Sequence, residues 1–151
     1  MIIRAIVSMA PADVSWEIFD DLGTLPHFND PEEAPPSVAA FKTKLAEADA
    51  VLICTPEYAF GIPGSLKNAI DWTVGSGELV EKPVALITAS SQGEKGHAAM
   101  LMVLTALSAK VAPTATLLIS FVRSKLDAQG NIKDQALLFK LSEVVTALSA
   151  Q

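Results

Sequence analysis

Short apolar runs, separated by amphipathic stretches, dominate the pattern of the chain. Three runs are almost continuous in Val, Ile, Leu and Ala: AVLICT from Ala50, PVALITA from Pro83 and ATLLIS from Ala115. Continuous runs are typical of strands that are covered on both faces, as in a parallel sheet with helices above and below. A fourth run, VSWEIF from Val14, alternates and predicts a strand near a sheet edge. The pattern therefore predicts four strands.

Amphipathic segments lie between the runs. Their apolar stripes predict helices that begin at Pro36 and Pro63, and two more over about 96–110 and about 134–149. Proline suits the first helical position, because the N–H that it lacks would be unpaired there. Helices and strands then alternate as β-α-β-α-β-α-β-α, which predicts a parallel sheet with right-handed crossovers in three layers. We expect one such α/β domain over residues 1–151.

Composition and charge exclude several classes of partner and site. Half of the 151 residues are hydrophobic, enough for a sizeable core, and the net charge of −6 argues against nucleic acid as a partner. The one cysteine, Cys54, lies in an apolar run, which is typical of an inert thiol in a reducing cytoplasm. No signal peptide or bilayer-spanning stretch is predicted, so no membrane partner is expected. His27 and His97 have no carboxylate at ligand spacing, so no metal site is expected.

Two loops should carry the chemistry, because open parallel sheets bind ligands beyond the carboxyl ends of their strands. The first loop, TPEYAFGIPG over 55–64, is shaped by prolines and glycines. A flat aromatic ligand could stack on Tyr58 and Phe60 there and accept hydrogen bonds from the backbone. The second loop, SSQGEKG over 90–96, combines small polar side chains with a glycine that allows a backbone to come close. Together the loops predict a cleft with two walls.

The first loop and the residues on either side of it carry a specific resemblance to a known protein family. ADAVLICTPEYAFGIPGSLKNAIDW, from Ala48, resembles the signature of the NADPH-dependent FMN reductase family, flavodoxin-like enzymes that include quinone, azo-dye and chromate reductases. The usual motif is Pro-Glu-Tyr-Asn, followed shortly by Pro-Gly-x-Leu-Lys-Asn-Ala-Ile-Asp-Trp. DLGTLPHFND from Asp21, KPVALITAS from Lys82 and DAQGNIKD from Asp127 are similar to other family segments, so the likeness covers nearly the whole chain.

The resemblance implies FMN as the cofactor and NAD(P)H as the co-substrate. In the family, hydride passes from NAD(P)H to flavin N5, and a quinone, another flavin or a similar acceptor then replaces the nicotinamide on the same ring face. The protein orients the ring, so no catalytic side chain is implied. A homodimer or homotetramer is also implied, in which Glu57 ties subunits together. The predicted cofactor-binding residues are Pro56, Glu57, Tyr58, Ala59, Phe60, Ser91, Gln92 and Gly93.

The sequence departs from the family pattern at its start. Members normally begin with a central strand and a Gly-Ser-x-Arg-x-x-Ser loop that holds the FMN phosphate. Here MIIRAIVSMAPADVSWEIFD instead resembles the end of the first helix running into the second strand. The resemblance thus implies a missing first βα unit and a gap in the sheet. MIIRAIVS could fill the gap as a strand, or VSWEIF could pair directly with AVLIC; a residual helix over Met1–Met9 is favoured.

Two smaller departures from the family motif lie in the first loop. Ala59 stands where the motif usually has Asn, and Gly61 stands where Ser is frequent. Both can remove contacts to the ring, so that binding relies more on backbone donors. With the phosphate loop missing, flavin binding can be impaired. The alternative hypothesis is therefore a flavin-free, truncated domain that acts as an oligomeric or interaction module.

Overall fold

The computed structural model describes residues 2–150. Its helices are α1 (Ile2–Ser8), α2 (Pro36–Glu47), α3 (Gly64–Val74), α4 (Glu94–Ala106) and α5 (Gln135–Ser149). Its strands are β1 (Val51–Thr55), β2 (Val84–Ala89) and β3 (Thr116–Ile119). Short 3-10 turns occupy Leu22–Thr24, Pro113–Ala115 and Val122–Lys125.

The three strands form one parallel sheet in the order β1-β2-β3. Val51 lies opposite Val84 and Leu86 lies opposite Thr116, so β2 is the central strand. The first five residues of β2 are buried, as expected for a strand that is covered on both faces. The three strands predicted from continuous apolar runs are therefore confirmed, and with them the α/β fold class.

Helices cover both faces of this sheet. Val84 and Leu86 face a cluster of buried side chains from α3 and α4. Ala85 and Ile87, on the opposite face, pack against α1 and α5. A third cluster attaches α2 and Leu25 to α3. The period of two along β2 thus divides its side chains between two apolar layers, which gives the predicted three-layer arrangement.

The four predicted helices are confirmed, with shifted ends. Pro63 is the residue before α3 rather than its first residue, since the helix begins at Gly64. α4 begins at Glu94, two residues earlier than predicted, and ends before Ser108, whose φ of 56° is left-handed and incompatible with a continuing helix. At α5, the Asp134 carboxylate accepts a hydrogen bond from the Leu137 N–H, which satisfies one of the first-turn donors.

The strand predicted for VSWEIF is wrong, because residues 14–19 have no regular secondary structure. Trp16 and Phe19 pack against buried clusters, whereas Ile18 is 40% exposed. A strand requires a neighbour for its backbone hydrogen bonds, and among residues 2–150 the only strand paired with β1 is β2. The expected direct pairing of VSWEIF with AVLIC is therefore also wrong. The observed order is α-α-β-α-β-α-β-α.

The favoured helix at the start of the sequence is confirmed over Ile2–Ser8, while Met1 lies outside the described residues. Ile2 and Ile6, one turn apart, are buried in the cluster that contains α5. The alternative in which MIIRAIVS acts as a strand is wrong, because burial of this apolar stripe needs helical spacing. The free edge of β1 consequently borders a groove.

Candidate functional site

The chain reverses direction immediately after β1. Tyr58 and Gly61 exchange two backbone hydrogen bonds, of 3.1 Å from the Tyr58 N–H and 2.9 Å from the Gly61 N–H. Between them, Ala59 and Phe60 have φ values of 49° and 60°. Two central residues with positive φ define a type I′ turn. The turn presents two aromatic side chains to solvent, with Tyr58 65% and Phe60 72% exposed.

This turn makes the Ala59→Asn variant a test of local strain. Asparagine adopts the left-handed conformation more readily than alanine, so the free energy of unfolding should rise by about 0.5–1 kcal/mol. The matched control is Ala39→Asn, on the exposed face of α2, where asparagine should lower the free energy of unfolding by roughly 0.6 kcal/mol. Urea denaturation measures both variants. A destabilised Ala59→Asn protein would show that residue 59 is not left-handed.

Glu57 joins the first loop to the start of α4. Its carboxylate accepts a hydrogen bond of 2.7 Å from the Gly96 N–H. Gly96 is the third residue of α4, where N–H groups have no partner within the helix and the helix dipole favours a negative charge. The Glu57 N–H also lies 3.4 Å from Ser90 Oγ in the second loop. The carboxylate is thus engaged within the chain, and its expected role between subunits stays a prediction.

Two glycines permit this close approach of the loops. A Cβ at Gly96 would lie 3.1 Å from both the Cβ and the Cγ of Glu57 and 3.1 Å from the Gly61 carbonyl oxygen. Gly93 has a φ of 97°, and a Cβ there would lie 2.8 Å from a Leu118 methyl carbon. Any larger residue at either position must displace a neighbour. The glycines therefore determine the spacing between the first loop, the second loop and β3.

A third loop, which the sequence pattern did not predict as part of the site, follows β3. Ser120 Oγ donates a hydrogen bond of 2.8 Å to the Gln92 carbonyl, and the Phe121 N–H donates one of 3.1 Å to the Ser91 carbonyl. Phe121 has a φ of 52° and is largely exposed. The sequence could have predicted this third loop from the carboxyl end of ATLLIS, because parallel strands place all their carboxyl ends at one edge of the sheet.

The eight predicted residues all follow the carboxyl ends of β1 and β2. Residues 58–60 and residues 91–92 are exposed, whereas Pro56 and Glu57 are half-buried and Gly93 is buried. The structure brings Glu57 into contact with the second loop through the bonds described above. The aromatic side chains of the turn instead extend into solvent. The first and second loops, which form the two walls of the predicted cleft, are therefore connected at the base of the cleft by the hydrogen bonds of Glu57.

A groove of about 870 Å³ lies beside β1. Pro56 and Tyr58 line it, together with parts of α1, α2 and α3, but the predicted residues of the second loop do not. Concave space therefore adjoins Tyr58 on the side of the turn that faces away from β2. The groove extends beyond the first loop, because all five residues of β1 line it.

Two titratable groups near the sheet have shifted pKa values. His97 Nδ1 lies 2.9 Å from Thr88 Oγ1, and partial burial lowers the pKa of the imidazole. Burial raises the pKa of the Cys54 thiol to about 11, so it stays protonated at neutral pH. Among residues 2–150, no three His, Cys, Asp or Glu side chains are grouped so that they could hold a metal ion. His97 therefore has a hydrogen-bond partner in Thr88, and its expected lack of a metal role stays a prediction.

Fold and site together define a class of protein. A parallel α/β sheet with helices on both faces, whose strands end in contiguous loops at one edge, is the arrangement of three-layer domains that bind nucleotides or flavins. In the described part of the chain, no helix has the length and apolar character needed to cross a membrane. The site belongs to a domain of this ligand-binding class.

Comparison with known proteins makes the class specific. The sequence model for NADPH-dependent FMN reductase matches residues 1–123. A quinone reductase of Escherichia coli (strain K12) is 33% identical over 158 residues, covering 97% of this chain and 84% of the relative. A 2-hydroxy-1,4-benzoquinone reductase of Burkholderia sp is 38% identical over 138 residues, covering 85% of this chain and 74% of the relative. The structure of FerB, a flavoenzyme NAD(P)H:(acceptor) oxidoreductase from Paracoccus denitrificans, superposes with a TM-score of 0.84 at 28% identity, covering 98% of this chain and 85% of that one.

The chain belongs to the NADPH-dependent FMN reductase family. This confirms the family predicted from the residues after β1, and the flavodoxin-like fold that it implied. Membership supports FMN as the cofactor, NAD(P)H as the co-substrate and a small molecule as the electron acceptor.

Proposed function

We propose that the chain is an FMN-dependent oxidoreductase that takes electrons from NAD(P)H and delivers them to a quinone or a similar small acceptor. The observation that carries the proposal is the bond from the Gly96 N–H to the Glu57 carboxylate. It holds the type I′ turn against the second loop at the edge where parallel α/β sheets bind ligands. The acceptor class is supported by two relatives that are quinone reductases.

The residues at this edge fit a flat ring. One wall would be Pro56, Glu57 and residues 58–60, and the other Ser91, Gln92 and Gly93. The N–H groups of Ala59 and Phe60 make no backbone hydrogen bond among residues 2–150, because the turn uses those of Tyr58 and Gly61. They can therefore donate to a ligand. FMN bound here would supply the hydride chemistry, while these donors orient it and the aromatic side chains exclude water.

The FMN phosphate has no assigned partner in this chain. The Gly-Ser-x-Arg-x-x-Ser motif is not found in the sequence, and the first turn of α4, one possible anion site, already receives the Glu57 carboxylate. Ring contacts would then carry most of the affinity. Weak, reversible flavin binding is the expected consequence.

Assembly and location are parts of the same proposal. Tyr58, Phe60 and Phe121 are large apolar side chains that remain exposed around the site. Exposed apolar surface of this kind favours contact between subunits, which supports a homodimer or homotetramer. A cytoplasmic location stays a prediction that rests on the single cysteine of the sequence.

A second candidate function is favoured by the groove beside β1. Its volume of about 870 Å³ lies largely away from the second loop and follows the edge of β1 that has no strand partner among residues 2–150. A flavin-free domain that acts as an interaction module would use this groove rather than the loops.

Equilibrium titration with FMN separates the two candidates. The enzyme proposal expects quenching of flavin fluorescence with a stoichiometry of one FMN per chain, and NAD(P)H oxidation that depends on added benzoquinone. Parallel assays with NADH and NADPH would identify the preferred nicotinamide. Protein that leaves flavin fluorescence unchanged and oxidises no NAD(P)H at saturating FMN would contradict the enzyme proposal.

The Glu57→Ala variant tests the contact that carries the proposal. Loss of a hydrogen bond to a charged group should free the turn from α4 and weaken FMN affinity roughly tenfold. Glu81→Ala is the matched control, because this exposed glutamate precedes β2 at the opposite edge and pairs with Lys110. Its FMN affinity should equal that of the unmodified protein. Equal affinities for both variants would show that Glu57 does not shape the site.

A further inference from the structure

The three loops at the carboxyl edge of the sheet follow the order of the strands. Because β2 is the central strand, the second loop lies between the first loop, after β1, and the third loop, after β3. Neighbouring strands are about 4.8 Å apart, so the ends of β1 and β3 are separated by about 10 Å. The proposed flavin ring lies between the first two loops. The third loop, over residues 120–126, therefore has no role yet in the proposed function.

Phe121 is held in a strained conformation on the third loop. Its φ of 52° is left-handed, which is uncommon for a bulky residue. Its N–H donates a hydrogen bond of 3.1 Å to the Ser91 carbonyl, and its own carbonyl accepts bonds of 2.9 and 2.8 Å from the N–H and the hydroxyl of Ser124. Strained residues persist where their surroundings fix them in this way, and they cluster at ligand sites. The backbone of Phe121 is thus fixed, while its side chain is 68% exposed.

Arg123 carries the uncompensated charge of the three loops. Lys125, the other cation of the third loop, is paired with Asp134 at 2.9 Å. The second loop contains one acidic and one basic residue, and the carboxylate of the first loop is engaged by α4. Arg123 is exposed and has no ion pair or side-chain hydrogen bond in the described part of the chain. Its guanidinium is always charged and matches the geometry of a phosphate group.

A fixed aromatic side chain beside a free guanidinium indicates a ligand that has a flat ring next to a phosphate. Aromatic side chains stack on nucleic-acid bases, and every base offers such a face. NADPH has an adenine and a 2′-phosphate on one nucleoside, so its adenosine end has both features. FMN would bring a phosphate to this loop but no second ring, because its one ring system lies between the first two loops.

We propose that Phe121 and Arg123 form a subsite for the adenosine 2′-phosphate end of NADPH. The adenine stacks on Phe121, and the 2′-phosphate binds the Arg123 guanidinium. This inference rests on the proposed function, since the nicotinamide end of the same molecule then lies against the flavin ring. Two riboses and a pyrophosphate separate the two rings of the dinucleotide, so it can extend from the flavin to the third loop. The two residues select NADPH over NADH and take no part in hydride transfer.

An NMR titration of the flavin-free protein tests the subsite without any redox reaction. The probes are adenosine 2′,5′-bisphosphate and adenosine 5′-monophosphate, which share the adenine and differ in the 2′-phosphate. The bisphosphate should shift the amide resonances of Phe121 and Val122. The monophosphate should shift the same resonances with roughly tenfold lower affinity, because it lacks the partner of a charged hydrogen bond.

Two pairs of variants separate the ring contact from the phosphate contact. Arg123→Gln should lower the affinity for the bisphosphate roughly tenfold and leave that for the monophosphate unchanged. Lys110→Gln removes the same charge beside the start of β2, at the opposite edge, and should change neither affinity. Phe121→Ala should weaken both nucleotides roughly tenfold, and Phe121→Tyr should restore them. Phe139→Ala, which truncates a 64% exposed ring on α5, should weaken neither.

Steady-state kinetics of the FMN-loaded protein provide a second readout. Arg123→Gln should raise the KM for NADPH roughly tenfold, while kcat and the KM for NADH stay the same. The reductant 1-benzyl-1,4-dihydronicotinamide has no adenosine, so its rate should be the same in the unmodified protein and in all variants. FMN affinity should also be unchanged in Arg123→Gln.

Three outcomes would overturn the proposal. The flavin-free protein could bind both nucleotides equally well. Arg123→Gln could weaken FMN itself, which would assign the guanidinium to the flavin phosphate. Phe121→Ala could change the oligomeric state and leave nucleotide affinity intact, which would assign the ring to a subunit contact. A protein that binds FMN and oxidises NADPH but fails the nucleotide titration would contradict the subsite alone, whereas failure to bind FMN would contradict the proposed function.

Discussion

Replacing Trp72 by alanine is expected to lower the free energy of unfolding by about 3–5 kcal/mol, the usual cost of truncating a large buried aromatic side chain. Trp72 is 3% exposed and belongs to the cluster that attaches α2 to α3. Its Nε1 donates a hydrogen bond of 2.8 Å to the Pro26 carbonyl, and Phe28 contacts its ring edge-on at a centroid distance of 5.0 Å. A domain of this size has roughly 5–15 kcal/mol of stability in total, so the variant should be marginal.

Two further variants separate the causes of this loss. Trp72→Phe keeps most of the volume and removes the hydrogen bond, so it should cost only about 1–2 kcal/mol. Val74→Ala, in the same helix but 60% exposed, should change the free energy of unfolding by less than about 0.5 kcal/mol. Urea denaturation monitored by circular dichroism measures all three. A cost below about 1 kcal/mol for Trp72→Ala would mean that residues 25–28 are not packed on α3.

Replacing Gly96 by alanine is expected to weaken FMN binding roughly tenfold, an expectation that rests on the proposed function. The added Cβ would meet Glu57 and the Gly61 carbonyl at 3.1 Å, and overpacking of this kind typically costs about 1–3 kcal/mol. The first loop should move away from α4, because its exposed turn yields more easily than the helix. Helix propensity favours alanine, so stability should change little.

Gly64→Ala is the matched control for this substitution. Gly64 also lies in the first turn of a helix, but a Cβ there would have no atom within 4 Å. Its FMN affinity should be unchanged and its stability equal or higher. NMR of the flavin-free proteins provides a second measurement, since Gly96→Ala should shift the Glu57 and Gly61 amide resonances whether or not FMN binds. Unshifted resonances would contradict the loop contact, and shifted resonances with normal FMN affinity would contradict only the proposed site.

Much of the sheet could be predicted without a structure. The runs that became β1, β2 and β3 are apolar at nearly every position, and such runs are stable only where both faces are covered. The alternation of VSWEIF predicted a strand wrongly, because alternation is a local property of the segment. Whether a segment becomes a strand depends on a neighbour that can pair with its backbone, and the pattern of one segment does not contain that information.

The candidate site, like the sheet, could be predicted from the sequence only in part. PEYAFGIPG could be assigned to a ligand loop, because its residue types shape a turn after a buried strand and match a family motif. The left-handed conformations of Ala59 and Phe60 could not be predicted, since neither residue favours positive φ and the turn is imposed by its flanking hydrogen bonds.

The sequence by itself determined the layers of the fold, the place of the first loop and the family. Only the tertiary structure decided that Glu57 binds Gly96, that Ser120 and Phe121 hold the second loop, and that neither MIIRAIVS nor VSWEIF pairs with β1 among residues 2–150. The physical reason is distance along the chain: burial patterns and turn residues act over a few neighbours, whereas these contacts join segments about 28–39 residues apart that meet only when the sheet has formed.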